Sequence, residues 1–316
     1  MLSESKIIAD LKSSFPEYIG DDAAVLELQS DKRTLISKDI LVEDIHFRTS
    51  YCDAKSLAHK ALHVNLSDLA AMGGTPEFVL LGIAFPTMHQ GYVQNFLESF
   101  ALACQDARVV LIGGDTTRSP DKLFLSITVT GSASAKNVKY RHDAKPRDLI
   151  CVAGDLGHAH LGLIACERSL SGFDDYKRAF LRPIAKVGEG SWLAKQPGVH
   201  AMMDISDGLY IDLKRLCAAS KVQGRLELER LQQTKKFTAA SVELDVKDAA
   251  LVGGEDYGLL FTVSPKHYEA LFEGFVRQFE YEVKRVGVIT NGRGLSLTQN
   301  GLVKAMSSKP FAHFEV

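Results

Sequence analysis

DAKSLAHKALHVNLSDLAAMGGTPEFVLLGIAF, residues 53–85, reads as a helix that stops abruptly and is followed at once by a buried strand. Asp53 suits an N-cap, because its carboxylate can accept from the unpaired N–H groups of a first turn. Residues 54–72 form the predicted helix, and Gly73-Gly74-Thr75-Pro76 cannot continue it. FVLLGIAF at 78–85 is apolar and short, as a buried strand requires. One residue fits poorly. Asp68 lies in LSDLAAMGG beside Leu66, Leu69 and Ala70, all of which favour burial, so its carboxylate needs partners, as a ligand or as a cap.

Outward from this unit the same alternation continues. AAVLEL and TLISKDILV read as strands, 92–107 as a helix, and VVLI and LFLSITVTG as strands with a GGD turn after the first. The segment 132–147 (SASAKNVKYRHDAKPR) turns polar and basic and marks the expected domain junction. Beyond it come LICVAG, helices near 159–169 and 187–195, VHAMM, a helix at 208–219, LLFTV, a helix at 265–279 and VKRVGVI. The expectation is a two-domain α/β (α+β) protein divided as 1–137 and 138–316. MLSESKIIADLKSSF reads as an amphipathic helix behind a Ser3 cap, and the tail KPFAHFEV as a packing or a substrate-facing segment.

Carboxylates recur where apolar runs stop. Asp39 follows TLISK, Asp115 closes VVLIGGD and Asp204 closes VHAMMD. GDDAAV adds Asp21 and Asp22, DISDG adds Ser206 and Asp207, and GGEDY adds Glu255 and Asp256. Strand ends beside glycines place such charges at a sheet rim, where ligands bind. An ionised pair at 4 Å repels by roughly 4 kcal/mol at an effective dielectric of about 20, so a cluster calls for cations. Asp and Glu oxygens suit Mg²⁺, which commonly bridges to phosphates. The paired glycines of Gly113-Gly114-Asp115 would let backbone N–H groups approach an anion.

Composition narrows the class. The 316 residues are 46% hydrophobic and 24% charged with a net charge of −2, as in ordinary globular proteins, and without the basic excess of a nucleic-acid binder. No apolar stretch approaches the roughly 20 residues a membrane span needs. Five scattered cysteines without a CxxC read as reduced thiols of a cytoplasmic protein, and His158 and His160 lack a third ligand nearby. GxxxxGK[ST], a strand-borne GxGxxG, HRD, DFG, GxSxG and HExxH are all missing. Phosphates would then be held by metal, glycine backbone and a few cations such as Arg141, His142 and Lys145.

In order, GDDAAV, SKDILVEDIHF, KALHVNLSDLAAMGGTP, LIGGDTTR, YRHDAKPRD, DISDGL, GGEDY and FAHF resemble the thiamine-monophosphate kinase family, within the aminoimidazole ribonucleotide synthetase-like ATP-binding superfamily. The resemblance implies an N-terminal sheet that pairs across a homodimer, a C-terminal α/β domain that covers it, and ATP between them. It implies transfer of the γ-phosphoryl group to thiamine monophosphate. It also implies Mg²⁺ held by Asp22, Ser37, Lys38, Asp39, Asp68, Asp115, Asp204 and Asp207. Gly114, Asp115, Arg141 and Ser206 would contact ATP, and His46, Glu255 and Phe311 thiamine monophosphate. Two positions depart from the family pattern: Lys38 stands where a small hydroxyl residue is usual, and Asp44 where glycine is common. The rival readings are another ATP-dependent enzyme of the superfamily, a non-catalytic nucleotide- or metal-binding protein, and a magnesium-dependent phosphatase.

Overall fold

The computed structural model describes Ser13 and residues 21–28, 31–231 and 249–305. The expected N-terminal helix, Ser13 apart, and the tail with Phe311 lie outside the described residues.

The first half forms β1 (Ala24–Leu26), β2 (Lys32–Val42), α1 (Ala54–Ala71), β3 (Thr75–Phe85), α2 (Gln90–Asp106), β4 (Val110–Arg118) and β5 (Phe124–Ser134). The sheet order is β1-β2-β5-β3-β4, antiparallel except for the β3–β4 pair. Alternation decides its faces. Leu35 and Leu41 of β2, Val79, Leu81 and Ile83 of β3, and Leu125, Ile127 and Val129 of β5 are buried in one core with Leu57, Leu62 and Phe96 of the two helices. The alternate positions Ile40, Phe78, Leu80 and Phe124 stay exposed on the opposite face.

β4 corrects one expectation. GGD is not a turn: the strand runs through it to Arg118, paired in parallel with β3. The pairing shifts by one residue opposite Val79 and Leu80, a bulge that absorbs Ile112. A Cβ on Gly114 would sit 1.8 Å from the Leu81 carbonyl oxygen, so glycine is needed there for strand contact.

The second half comprises β6 (Leu149–Ala153), α3 (His158–Glu167), α4 (Asp174–Leu181), α5 (Val187–Ala194), β7 (Val199–Ile205), α6 (Leu209–Ser220), β8 (Gln223–Glu227) and α7 (Ala249–Val252). It continues with β9 (Gly258–Val263), α8 (Pro265–Phe279), β10 (Lys284–Thr290), β11 (Gly294–Gln299) and β12 (Leu302–Lys304). The seven strands order as β12-β11-β8-β10-β6-β9-β7. The expected elements are present within a few residues, whereas α4, β8, α7, β11 and β12 were not anticipated.

α1 joins the halves. Asp53 caps it as expected, accepting from the Ser56 N–H at 2.6 Å. Ala70 and Ala71 at its far end pack with Cys151, Phe261 and Phe275 of the second half. A Cβ on Gly190 of α5 would lie 2.1 Å from the Ala70 carbonyl, so the two helices touch backbone to backbone there. Among the described residues no helix is long and apolar enough to cross a membrane.

Candidate active site

A cavity of 830 Å³ lies where the N-terminal sheet, α1 and the loops of the second half meet. Its acidic end is assembled from residues far apart in sequence. β2 turns Ser37 and Asp39 toward α1: the Ser37 hydroxyl donates to the Asp68 carboxylate, and the Asp39 N–H donates to Asn65 Oδ1 at 3.0 Å. Asp204, at the end of β7, accepts from the Ser67 hydroxyl at 2.7 Å. Carboxylate oxygens of Asp22, Asp68 and Asp204 all lie within 4.8 Å of one another. This is the convergence that the scattered motifs implied.

Burial and crowding shape the electrostatics. Burial, then the charges of Asp39, Asp204 and Asp22, raises the Asp68 carboxyl well above its ordinary value, against the Ser37 hydrogen bond. Asp204 is raised by burial and then by Asp22. Asp39 is pushed up to about 6 by burial, Asp207 and Asp22. Asp22 is raised by burial against the opposing charge of Arg141, whose Nη2 lies 3.0 Å from Asp22 Oδ2. Oδ2 is a buried oxygen that makes no regular hydrogen bond among the described residues and is left with this ion pair. Three carboxylates held close, one of them lacking a regular hydrogen bond, fit a divalent cation of the hard, oxygen-seeking kind.

The backbone N–H of Arg141 donates to Asp21 Oδ1 at 2.8 Å at this end. Asp207 pairs with Arg215, and its N–H donates to Asp212 Oδ2 at 3.0 Å. The Ser206 carbonyl accepts the Glu255 N–H at 2.7 Å, tying DISDG to GGEDY. Asp256 anchors that second loop, accepting from the Gly157 and Ala159 N–H groups at the start of α3.

At the opposite end, His46 and Glu255 line the wall with Arg48, Tyr51, His160 and Phe180. The His46 Nδ1 accepts from the Val42 N–H at 3.0 Å. Lys60, Val64 and Asp68 line the cavity at successive i, i+4 positions, so one face of α1 runs along the cavity from base to acid.

Lys38 belongs to the other face of β2 and donates to Ser126 of β5, so the oxygen it can offer beside Asp39 is its backbone carbonyl. Asp44 has φ 70°, a conformation glycine takes freely and Asp tolerates, and its carboxylate pairs with Lys122. The aspartate therefore keeps the backbone course that a glycine would take.

Asp22, Ser37, Lys38, Asp39, Asp68 and Arg141 from the first part of the site are brought together, as are Asp204, Ser206, Asp207, His46 and Glu255. Gly114 and Asp115 are not among the residues lining the cavity. They lie on exposed β4, where Asp115 Oδ1 accepts from the Thr116 N–H at 2.9 Å. Phe311 lies outside the described residues. Lys60 and Tyr257 escaped the sequence reading, although a lysine amid the apolar stripe of α1 was as anomalous as Asp68.

Residues 20–133 match the family model of AIR synthase related protein, N-terminal domain, and residues 167–300 that of the C-terminal domain. The chain is 33% identical to the thiamine-monophosphate kinase of Buchnera aphidicola subsp. Schizaphis graminum, covering 94% of this chain and 92% of that one. It is 34% identical to that of Haemophilus influenzae, over 80% of this chain and 77% of the relative. A solved structure described as AaThiL complexed with AMPPCP and TMP superposes with a TM-score of 0.86 at 28% identity, covering 99% of this chain and 97% of that one.

Proposed function

Since this chain belongs to the thiamine-monophosphate kinase family, we propose that its cavity is where the γ-phosphoryl group of ATP passes to thiamine monophosphate, giving thiamine diphosphate and ADP. The enzyme is an ATP-dependent phosphotransferase of the two-domain AIR synthase related fold. The observation that carries the site assignment is the meeting of Asp22, Asp68 and Asp204 within 4.8 Å.

The acceptor is itself a phosphate and needs no strong base to become a nucleophile. The obstacle is repulsion between two anions and their in-line placement. Asp22, Asp39, Asp68 and Asp204 would hold magnesium, with Ser37, the Lys38 carbonyl and Asp207 beside them; the ion would supply the positive charge that offsets repulsion between the two phosphates. Arg141 and Ser206 stand at the acidic end to orient the triphosphate. His46 and Glu255 stand at the far end to receive the acceptor, a role that the family resemblance also gives Phe311. Transfer is direct, with no phosphorylated side chain, because the acceptor phosphate is itself the nucleophile and makes one supplied by the protein unnecessary.

Gly114 and Asp115 enter this reading through a second copy of the chain. β4 is exposed along all nine residues, and Ile40, Phe78, Leu80 and Phe124 put four exposed apolar side chains on its sheet's outer face, as suits a homodimer in which two such sheets close on each other. The division into residues 1–137 and 138–316 belongs to the same proposal, supported by one sheet spanning 24–134 and the other 149–304. A cytoplasmic location also belongs to it, in keeping with five buried unpaired cysteines.

ATP consumption by the pure protein, with thiamine monophosphate, free thiamine or no acceptor, tests the reading. ADP should appear at a substantial rate with thiamine monophosphate alone. Equal ADP in all three reactions would overturn it.

A further inference from the structure

Lys60 is 1% exposed, and its ammonium meets three groups from three segments. Nζ lies 2.9 Å from Glu255 Oε2 on the loop before β9, and 3.3 Å from the His46 carbonyl on the loop after β2. It also stands 3.7 Å from the centroid of the Phe180 ring on α4, within cation–π range. All four residues line the cavity. A lysine is rarely so deeply buried unless its charge is used. Here it gathers the residues that form the non-acidic end.

Glu255 shows what is being held. Its backbone sits at φ 66°, a left-handed conformation that a non-glycine residue adopts at some cost. The Ser206 carbonyl fixes that backbone through the Glu255 N–H, and Lys60 fixes the side chain through one carboxylate oxygen. The side chain remains 26% exposed, turned to the cavity. A carboxylate pinned from both sides has one remaining direction in which to bind a ligand.

Resting on the reading that Glu255 and His46 address the acceptor, we propose that Lys60 is a positioning residue of the acceptor site. Its buried ammonium sets the Glu255 carboxylate and the His46 loop in fixed relation, and Phe180 fixes the ammonium in turn. Lys60 itself touches neither phosphate nor acceptor. Its removal therefore weakens acceptor binding and leaves the ATP end unchanged.

The test is steady-state kinetics on the full chain, with ATP and thiamine monophosphate varied separately, for Lys60→Met, Lys60→Gln, Glu255→Gln and the Lys60→Met/Glu255→Gln pair. Lys60→Gln keeps a hydrogen-bond donor and serves if the methionine variant does not fold; thermal unfolding of each variant identifies that case. Each single change should raise the acceptor KM by about tenfold or more, with the ATP KM within about twofold of the parent. The double variant should be no worse than the worse single one, because both changes remove one shared contact. If Glu255→Gln raises the acceptor KM and neither Lys60 variant does, the positioning role is wrong and the acceptor reading stands. If Glu255→Gln leaves the acceptor KM unchanged, the acceptor reading fails and takes the proposal with it. Equal rises in both KM values, or a loss of kcat alone, would make Lys60 a general structural tie and overturn the proposal.

Discussion

Replacing Asp68 by asparagine should stabilise the metal-free protein while abolishing turnover. Asp68 faces Asp22 and Asp204 with oxygens no more than 4.8 Å apart, and at that distance each ionised pair repels by about 3.5 kcal/mol at an effective dielectric of about 20. Two such pairs disappear in the variant. Protonation relieves part of the strain in the parent, since all three carboxyls are raised and holding a proton costs about 1.4 kcal/mol per pH unit above the group's pKa. The net gain should then be on the order of 1–3 kcal/mol, within the range of measured single substitutions. The asparagine carbonyl can still accept from Ser37, so no hydrogen bond is lost. At this chain length the gain corresponds to a rise in Tm of roughly 2–5 °C. The assay is thermal unfolding at pH 8 in EDTA, repeated with magnesium, beside an ADP-release measurement. Magnesium should raise the parent's Tm clearly and the variant's much less. A lower Tm for the variant in EDTA, or equal magnesium shifts in both proteins, would refute the reasoning.

Magnesium binding should also depend on pH. Asp39, raised to about 6, makes the folded chain bind more protons than the unfolded chain from about pH 4, the ordinary carboxyl value, to about 6, and the raised Asp68 and Asp204 carboxyls act in the same direction. Their contribution to metal-free stability therefore falls as pH rises through that window, and magnesium, which competes with those protons, should stabilise least below it and most above it. Tm with and without magnesium across pH 4.5–8 measures this, and a shift independent of pH would contradict it. Asp115 offers a test of the dimer. Asp115→Ala and Asp204→Asn should each be inactive, yet equal mixing of the unfolded chains and refolding should restore about a quarter of the parent activity, since half the dimers would carry one complete site. Absence of recovery would place Asp115 in its own chain's site or outside the chemistry.

The fold was legible wherever one periodicity dominated. α1, with its Asp53 cap and double-glycine stop, and β3 after it stand as read. The GGD segment misled because glycines signal turns locally, whereas the parallel pairing with β3, a tertiary contact, carries the strand through them. α4, β8, α7, β11 and β12 were missed for a related reason: short elements are stabilised by neighbours more than by their own pattern. In the site, carboxylates stood out because their motifs repeat. The relation between Asp22, Asp68 and Asp204 could not be seen without the fold, and Lys60 was overlooked because a single lysine on a helix normally reaches solvent.

The stripe on α1 has a consequence for what the enzyme can evolve to accept. Lys60 and Asp68 are eight residues apart on a continuous helix, so their positions along its axis differ by about 12 Å. A helix cannot be stretched by small steps: one inserted residue would rotate everything beyond it by about 100° and swing either the base or the acid out of the cavity. The ruler between the two ends is therefore rigid. Any change in the length of the acceptor must be absorbed by the flanking loop that carries His46 and by α4, where substitutions adjust reach without breaking the gauge.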